Sequence, residues 1–288
     1  MIASLVGSEM CIRDRPSIFR SSFSELRIFL HIFNHKGMLG SFSQFFLDLY
    51  ESNPKWNFIY FYDPKQADRV LEGLWTTLEL SVVCVIFSVV IGVAGAWLQT
   101  LPNRLVRMVV QGYIQFFRNT PPLIQLMFFY FALGQFTPTY SPDGWLEIPI
   151  ISNVGWAIIS LSFFAGAFNV EIFRAGIEAI PESTKEASES LGFSRLQTYR
   201  YIVLPLAFRV SLPALNNNLV NLVKTTTQAL VIAVPELLYQ MVSIYNDYST
   251  SMNACMLLLF VVYIVLVGIL VFGMQRWERA MNIPGYGS

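Results

Sequence analysis

The sequence predicts an all-α membrane protein of about five transmembrane helices. Three observations carry that expectation. Of its 288 residues 54% are hydrophobic and 13% charged, where soluble domains run at about 45–50% and about 25%. Charge-free stretches at 80–98, 148–170 and 254–275 match the roughly 20 apolar residues that a membrane helix needs. Lys and Arg concentrate in alternate loops between the apolar stretches, as a multi-pass chain requires.

The same composition excludes several classes. Nineteen basic residues balance 19 acidic ones, so no strong field attracts a polyanion and no nucleic-acid partner is expected. The three cysteines, Cys11, Cys84 and Cys255, are an odd set without metal-ligand spacing and read as packing residues. The only histidines, His31 and His35, lie far from the long apolar runs, which argues against an intramembrane haem.

Residues 1–15 (MIASLVGSEMCIRDR) match nothing in the rest of the chain and read as a non-native leader. Residues 16–70 hold many aromatics, and their longest apolar run, 28–33, is too short to span. They read as an interfacial or extracytoplasmic segment, even though eight of the 19 basic residues lie before residue 71. The spans follow at roughly 73–98, 108–133, 154–176, 208–232 and 253–275, the second split by Arg118 and the fourth by Lys224. Arg104 and Arg107, then Lys185, Arg195 and Arg200, then Arg276 and Arg279 mark the cytoplasmic side. Segments 134–153 and 236–252 carry no Lys or Arg. The chain is therefore expected in the inner (cytoplasmic) membrane, with the N-terminus outside and the C-terminus and a tail at 281–288 in the cytoplasm.

The long inner loop, 180–205, reads IPESTKEASESLGFSRLQTYRYIVLP. Ser183 and Glu186 have capping-box spacing. Gly192 suits the left-handed residue that ends a helix, and Ser194 can cap a second helix that Pro205 interrupts before the fourth span. Ala187 and Leu191 share one face at i, i+4. Such a loop presents a short helix to the cytoplasm, and an ordinary amphipathic loop helix would read the same way.

Glu186-Ala187-Ser188, three residues, Gly192, nine residues, Ile202, one residue and Leu204-Pro205 resemble the EAA loop of ABC-importer permeases. The one departure is Ser188, where that family usually has Ala. GLWTTLELS from Gly73, FFRNTPPLIQLMFFYFAL from Phe116 and NLVKTTTQALVIAVPELL from Asn221 are similar to the polar amino-acid permeases, which include importers of His, Glu/Asp, Gln, Arg and opines. The likeness runs from Gly73 to the C-terminus. It implies a type I ABC-importer permease bundle at 71–280, with a coupling helix whose Glu186, Ala187, Ser188, Leu191 and Gly192 dock on a separate ATPase. It also implies an ABC ATPase dimer that consumes ATP with Mg, an extracytoplasmic amino-acid-binding protein, and a second permease subunit, identical or paralogous. Lys224-Thr225-Thr226-Thr227-Gln228 departs from the family's frequent Lys-Asp/Asn-Thr-Ser-Leu.

Charges at membrane depth face a bundle interior or a wet cavity, which singles out Glu79, Arg118, Glu171, Lys224 and Glu236. Pro121-Pro122 remove two backbone donors and break the helix beside Arg118. Arg118 there either attracts a substrate carboxylate, sits at the interface or pairs with an acid. Lys224 lines a pathway or snorkels, and Thr226 and Thr227 can bond carbonyls one turn back. Glu171 and Arg174, three apart, fit a local ion pair. Glu236 reads as solvated at a span's outer end or as meeting the binding protein, and Glu79 lies near the outer end of the first span.

No phosphate loop, His/Cys metal cluster or serine elbow occurs, so no cofactor and no catalytic residue are expected in this chain. The expected function is a transport subunit, not an enzyme: half of a pathway for polar amino acids. An ABC permease for another polar solute, an ion-coupled secondary transporter and a membrane-anchored assembly protein are the rivals. The secondary transporter would account for Glu171 and Lys224 but not for the spaced loop, and the chain has no evident inverted repeat.

Overall fold

The computed structural model describes residues 38–141 and 147–281. The expectations for 1–15, 16–37 and 282–288 lie outside the described residues. Helix α1 (Met38–Ser52) and a 3-10 turn (Ile59–Phe61) precede the first long helix, α2 (Pro64–Thr100). Helix α3 (Arg104–Asn119) and α4 (Pro122–Met127) follow, then π and 3-10 turns to Phe136. Strands β1 (Thr139–Tyr140) and β2 (Ile148–Pro149) pair antiparallel, Thr139 opposite Pro149. Helix α5 (Asn153–Glu178) leads into the inner loop, with α6 (Glu182–Ser190) and α7 (Arg195–Thr198). A π segment (Tyr199–Val203), α8 (Leu204–Thr225), a 3-10 segment (Thr226–Ile232), α9 (Leu237–Asp247) and α10 (Met252–Met281) complete the chain.

Among the described residues, three helices are by themselves long and apolar enough to cross a membrane: α2, α5 and α10, the last counted from Ser249. The pair Arg195–Ile232 and Leu237–Asp247, bent by 47°, passes the same test together. The second expected span is divided between α3 and the shorter apolar stretch Pro122–Phe136. Its break falls at Pro121-Pro122, where the sequence places it.

Several local expectations are corrected. Helix α2 starts at Pro64, inside the stretch expected to precede the membrane domain, because Asp63 caps it by accepting from the Lys65 N–H at 2.9 Å and proline suits the first turn. Glu79 accordingly sits roughly 22 Å along α2 at 1.5 Å per residue, directly before the charge-free stretch that begins at Leu80. The Ser183–Glu186 capping box does not form: α6 starts at Glu182 after Pro181, so Ser183 already lies inside the helix. Pro205 does not interrupt the second loop helix. The wide π turn before it accommodates the missing N–H, and helix runs on from Arg195 to Ile232. Helix α9 and the β1–β2 hairpin were not legible in the sequence.

Helix α5 is the hub of the bundle and packs along α2 and α8. Glycines permit the approach: a Cβ at Gly92 would collide with Asn169, and one at Gly95 with Val170. Small residues at helix contacts are how membrane bundles gain van der Waals packing without a hydrophobic drive between helices. A buried polar chain joins the same three helices. Asn218 Nδ2 donates to Asn169 Oδ1 at 2.7 Å and to the Ala165 carbonyl at 3.0 Å, and Asn169 Nδ2 donates to Ser88 Oγ at 3.2 Å. Cys84 and Cys255 are fully buried free thiols, in keeping with packing residues.

Candidate functional site

The inner loop is a compact two-helix unit. Gly192 stands at φ +88°, left-handed as expected, so the chain reverses after α6 without a Cβ penalty. The Phe193 N–H reaches the Ser188 carbonyl at 3.2 Å and the Gly192 N–H the Glu189 carbonyl at 2.9 Å, which is the Schellman pattern. Ser194 then caps α7 with a full capping box to Gln197. Ser188 is only 2% exposed; its hydroxyl meets Thr198 Oγ1 at 2.8 Å and ties the two helices together. Glu186, Ala187, Leu191 and Gly192 all face outward. Leu191 is 78% and Leu196 76% exposed, large apolar groups on a polar loop. Of the loop's five candidate residues, four are therefore presented and Ser188 is internal.

Arg118 ends α3, where a cation complements the helix dipole. It lies 3.7 Å from Glu171 and stacks 5.4 Å from the Phe168 ring centre. Glu171 also holds Arg174 at 2.8 Å, the expected i, i+3 pair, and Arg174 reaches Glu178 at 2.6 Å. The acid-pairing reading of Arg118 thus has a concrete partner. The break beside it is plugged by Gln125, which is 2% exposed. Its Nε2 donates to the Phe117 carbonyl at 2.8 Å, the acceptor that Pro121 cannot serve, and to the Thr120 carbonyl at 2.9 Å.

Lys224 is exposed in the last turn of α8 and, among the described residues, enters no ion pair. Thr226 and Thr227 bond back to the Val223 and Lys224 carbonyls, each at 2.8 Å, as their spacing suggests. Thr226 is fully buried, whereas Thr227 is half-buried.

Beyond Ile232 the helix breaks. Ala233 adopts φ +55°, left-handed and strained for a residue with a Cβ. The carbonyls freed there are taken by Asn153 Nδ2, at 2.6 Å from Ala233 O and 3.4 Å from Ile232 O. Glu236 is fully buried, which corrects its reading as a solvated or binding-protein contact. Its carboxylate accepts from the Leu238 and Tyr239 N–H groups, both at 2.8 Å, while Thr77 Oγ1 accepts from the Leu237 N–H at 3.0 Å. The first three free donors of α9 are thus all satisfied by side chains. An acid directly after a proline and before an apolar run is the signal that could have located this cap.

A family of known proteins covers most of this architecture. Residues 80–279 match the family described as "Binding-protein-dependent transport system inner membrane component". The chain belongs to that family. The permease is 31% identical over 215 residues to the probable amino-acid permease protein YxeN of Bacillus subtilis (strain 168), covering 75% of this chain and 92% of that one. It is equally 31% identical to the glutamine transport system permease protein GlnP of Escherichia coli (strain K12), over 74% of this chain and 93% of that one. Among solved structures, an amino acid ABC transporter crystallised with histidines superposes with a TM-score of 0.65 at 27% identity. It covers 75% of the permease and 95% of that chain. Membership places the permease among inner-membrane transport components, and its fold among the ABC-importer permeases. Among the described residues no cluster of His, Cys, Asp or Glu could hold a metal ion.

Proposed function

We propose that this chain is one permease subunit of an ATP-driven importer of polar amino acids. Each subunit contributes half of the translocation pathway. The observation that carries the reading is the outward face of the inner loop, where Glu186, Ala187, Leu191 and Leu196 project from a unit rigidly closed by Gly192 and by Ser188 with Thr198. Exposed leucines on an otherwise polar loop mark an interaction surface. The occupant is a separate ABC ATPase, two copies of which use ATP and Mg. Family membership supports that assignment, and amino-acid permeases among the relatives support the substrate class.

The permease pairs with a second copy or a paralogue, because about five spans are too few to enclose a polar path alone. An extracytoplasmic amino-acid-binding protein delivers substrate on the side of the N-terminus, and the C-terminus faces the cytoplasm. Closure of the ATPases draws the two inner loops together. The uninterrupted helix from Arg195 to Ile232 carries that displacement to the bent region at Ala233 and Glu236. A ligand shifts such an equilibrium only through differential contacts, so firm attachment of the loop to α8 is a requirement of the mechanism. Arg118, Lys224, Thr226 and Thr227 are the candidate pathway residues; Arg118 and Lys224 are exposed in the single subunit, Thr227 is half-buried and Thr226 is buried.

The test is to purify the chain with its co-encoded partners in lipid and to measure ATP hydrolysis with binding protein and single amino acids. Stimulation by a polar amino acid is the expected result. An associated ATPase that no amino acid stimulates removes the substrate class and keeps the importer. Failure of any ATPase to associate removes the coupling surface.

A further inference from the structure

Helix α1 lies outside the family match and before the stretch that resembles polar amino-acid permeases. Its sequence, MLGSFSQFFLDLYES, is amphipathic. Phe42, Phe45, Phe46 and Leu49 recur at helical spacing, while Gln44 and Asp48 occupy the other side and bond each other at 3.0 Å. Part of the aromatic face is used internally: the Phe46 ring lies 4.6 Å from Phe61 and 5.1 Å from Phe58, and Phe42 lies 5.3 Å from Phe61. The rest is open. Phe45 is 60% exposed and Phe42 45%, and the neighbouring Trp56 and Phe61 are also exposed.

The height of this patch is set by hydrogen bonds to the start of α10. Tyr60 Oη donates to the Ala254 carbonyl at 2.9 Å, Asn57 Nδ2 to Thr250 Oγ1 at 2.9 Å and Asn253 Nδ2 to the Lys55 carbonyl at 3.2 Å. The aromatic patch is thereby pinned to the end of a span whose own surface is almost wholly unburied and apolar, with Phe260, Ile264 and Ile269 exposed along it. Aromatic side chains concentrate where hydrocarbon meets headgroups, and an amphipathic helix with bulky apolar residues on one face lies in that plane. Residues 38–52 contain no Lys or Arg, so the helix itself brings no cation to anionic headgroups and its affinity rests on the aromatic face.

We propose that α1 is an interfacial membrane anchor. Phe42 and Phe45 insert among the acyl chains at the outer end of α10, and Gln44 and Asp48 face water. The occupant of the open aromatic face is lipid, continuous with the lipid surface of α10. The inference rests on the membrane reading of the chain, not on its substrate.

The test places nitroxide spin labels on the full-length chain in phosphatidylcholine nanodiscs, in a Cys11→Ser background that leaves the buried Cys84 and Cys255 in place. Labels are introduced by Phe42→Cys, Phe45→Cys, Gln44→Cys and Asp48→Cys, with Phe260→Cys on α10 as the membrane reference. Collisions with oxygen report lipid, and collisions with a water-soluble nickel complex report solvent. Several-fold preference for oxygen at 42 and 45, reversed at 44 and 48, is the expected pattern. Nickel access at 45 with oxygen access at 260 overturns the anchor alone. Protection of 45 from both reagents also overturns it, because protein then covers the face. Nickel access at both 45 and 260 overturns the membrane reading beneath it. Phe42→Cys gives up the ring contact with Phe61, so the decisive position is Phe45, the more exposed of the two, which makes no ring contact outside α1 among the described residues.

Discussion

The side-chain amide of Gln125 donates to the main-chain carbonyl of Phe117 at 2.8 Å, filling the place of the N–H that Pro121 lacks. A break that would otherwise leave a buried acceptor open is thereby held in one geometry beside Arg118. Lipid offers no substitute hydrogen-bond partner, so the brace has to come from the protein itself. Removing it by Gln125→Leu is expected to cost roughly 1–3 kcal/mol, the penalty for leaving a buried group unsatisfied. A lowered unfolding midpoint in detergent checks this, and an unchanged midpoint rejects the brace.

The second break is held by Glu236. Glu236→Ala leaves the Leu238 and Tyr239 N–H groups without their acceptor, at about 1 kcal/mol for a lost cap and up to about 2. Glu236→Gln retains an acceptor oxygen and is expected to be the milder change. Hydrogen exchange at the amides of 238 and 239 reads the difference. Equal protection in wild type and Glu236→Ala would show that the carboxylate does not cap α9.

At Gly192 the expected defect comes from the backbone. An added Cβ meets nothing within 4 Å, but φ of +88° disfavours any branched residue. Gly192→Val should cost about 1–2 kcal/mol locally, and Gly192→Asn clearly less, since Asn tolerates left-handed geometry. Gly192→Asp adds a charge to the exposed face and is expected to abolish uptake while insertion persists. Undiminished uptake in Gly192→Asp removes the docking assignment.

Ser188 and Thr198 should couple. Each alone removes the hydroxyl contact that ties α6 to α7. A double-mutant cycle with Ser188→Ala and Thr198→Val is expected to return an interaction of about 0.5–1.5 kcal/mol. Additive effects on the loop's protease resistance would mean that the contact carries no stability.

Lys224→Ala is expected to change uptake without loss of membrane assembly, because its side chain is exposed and holds no ion pair among the described residues. Wild-type uptake would leave Lys224 as a cation reaching for the membrane interface.

Much of this was legible along the chain because it rests on local physics. Hydropathy located α2, α5 and α10, since burying about 20 apolar residues in lipid is a property of composition. Gly192 and Ser194 announced their turns, because only a residue without a Cβ, or one with a short side-chain acceptor, suits those positions. The ion pair of Glu171 with Arg174 follows from helical spacing alone.

What tertiary structure decided was the fate of groups that find partners far away in sequence. Ser183 and Glu186 had the spacing of a cap, yet Pro181 started the helix first. Pro205 looked like a stop, but a π turn carried the helix through it. Glu236 looked like a solvated end and is a buried cap beside Thr77 of another helix. Asn153 reaches Ala233, and Asn169 bridges Ser88 and Asn218. The sequence alone determines which segments must leave water, because transfer free energy sums along the chain. Which buried polar group satisfies which depends on how the helices pack, and only the folded bundle brings those partners within hydrogen-bonding distance.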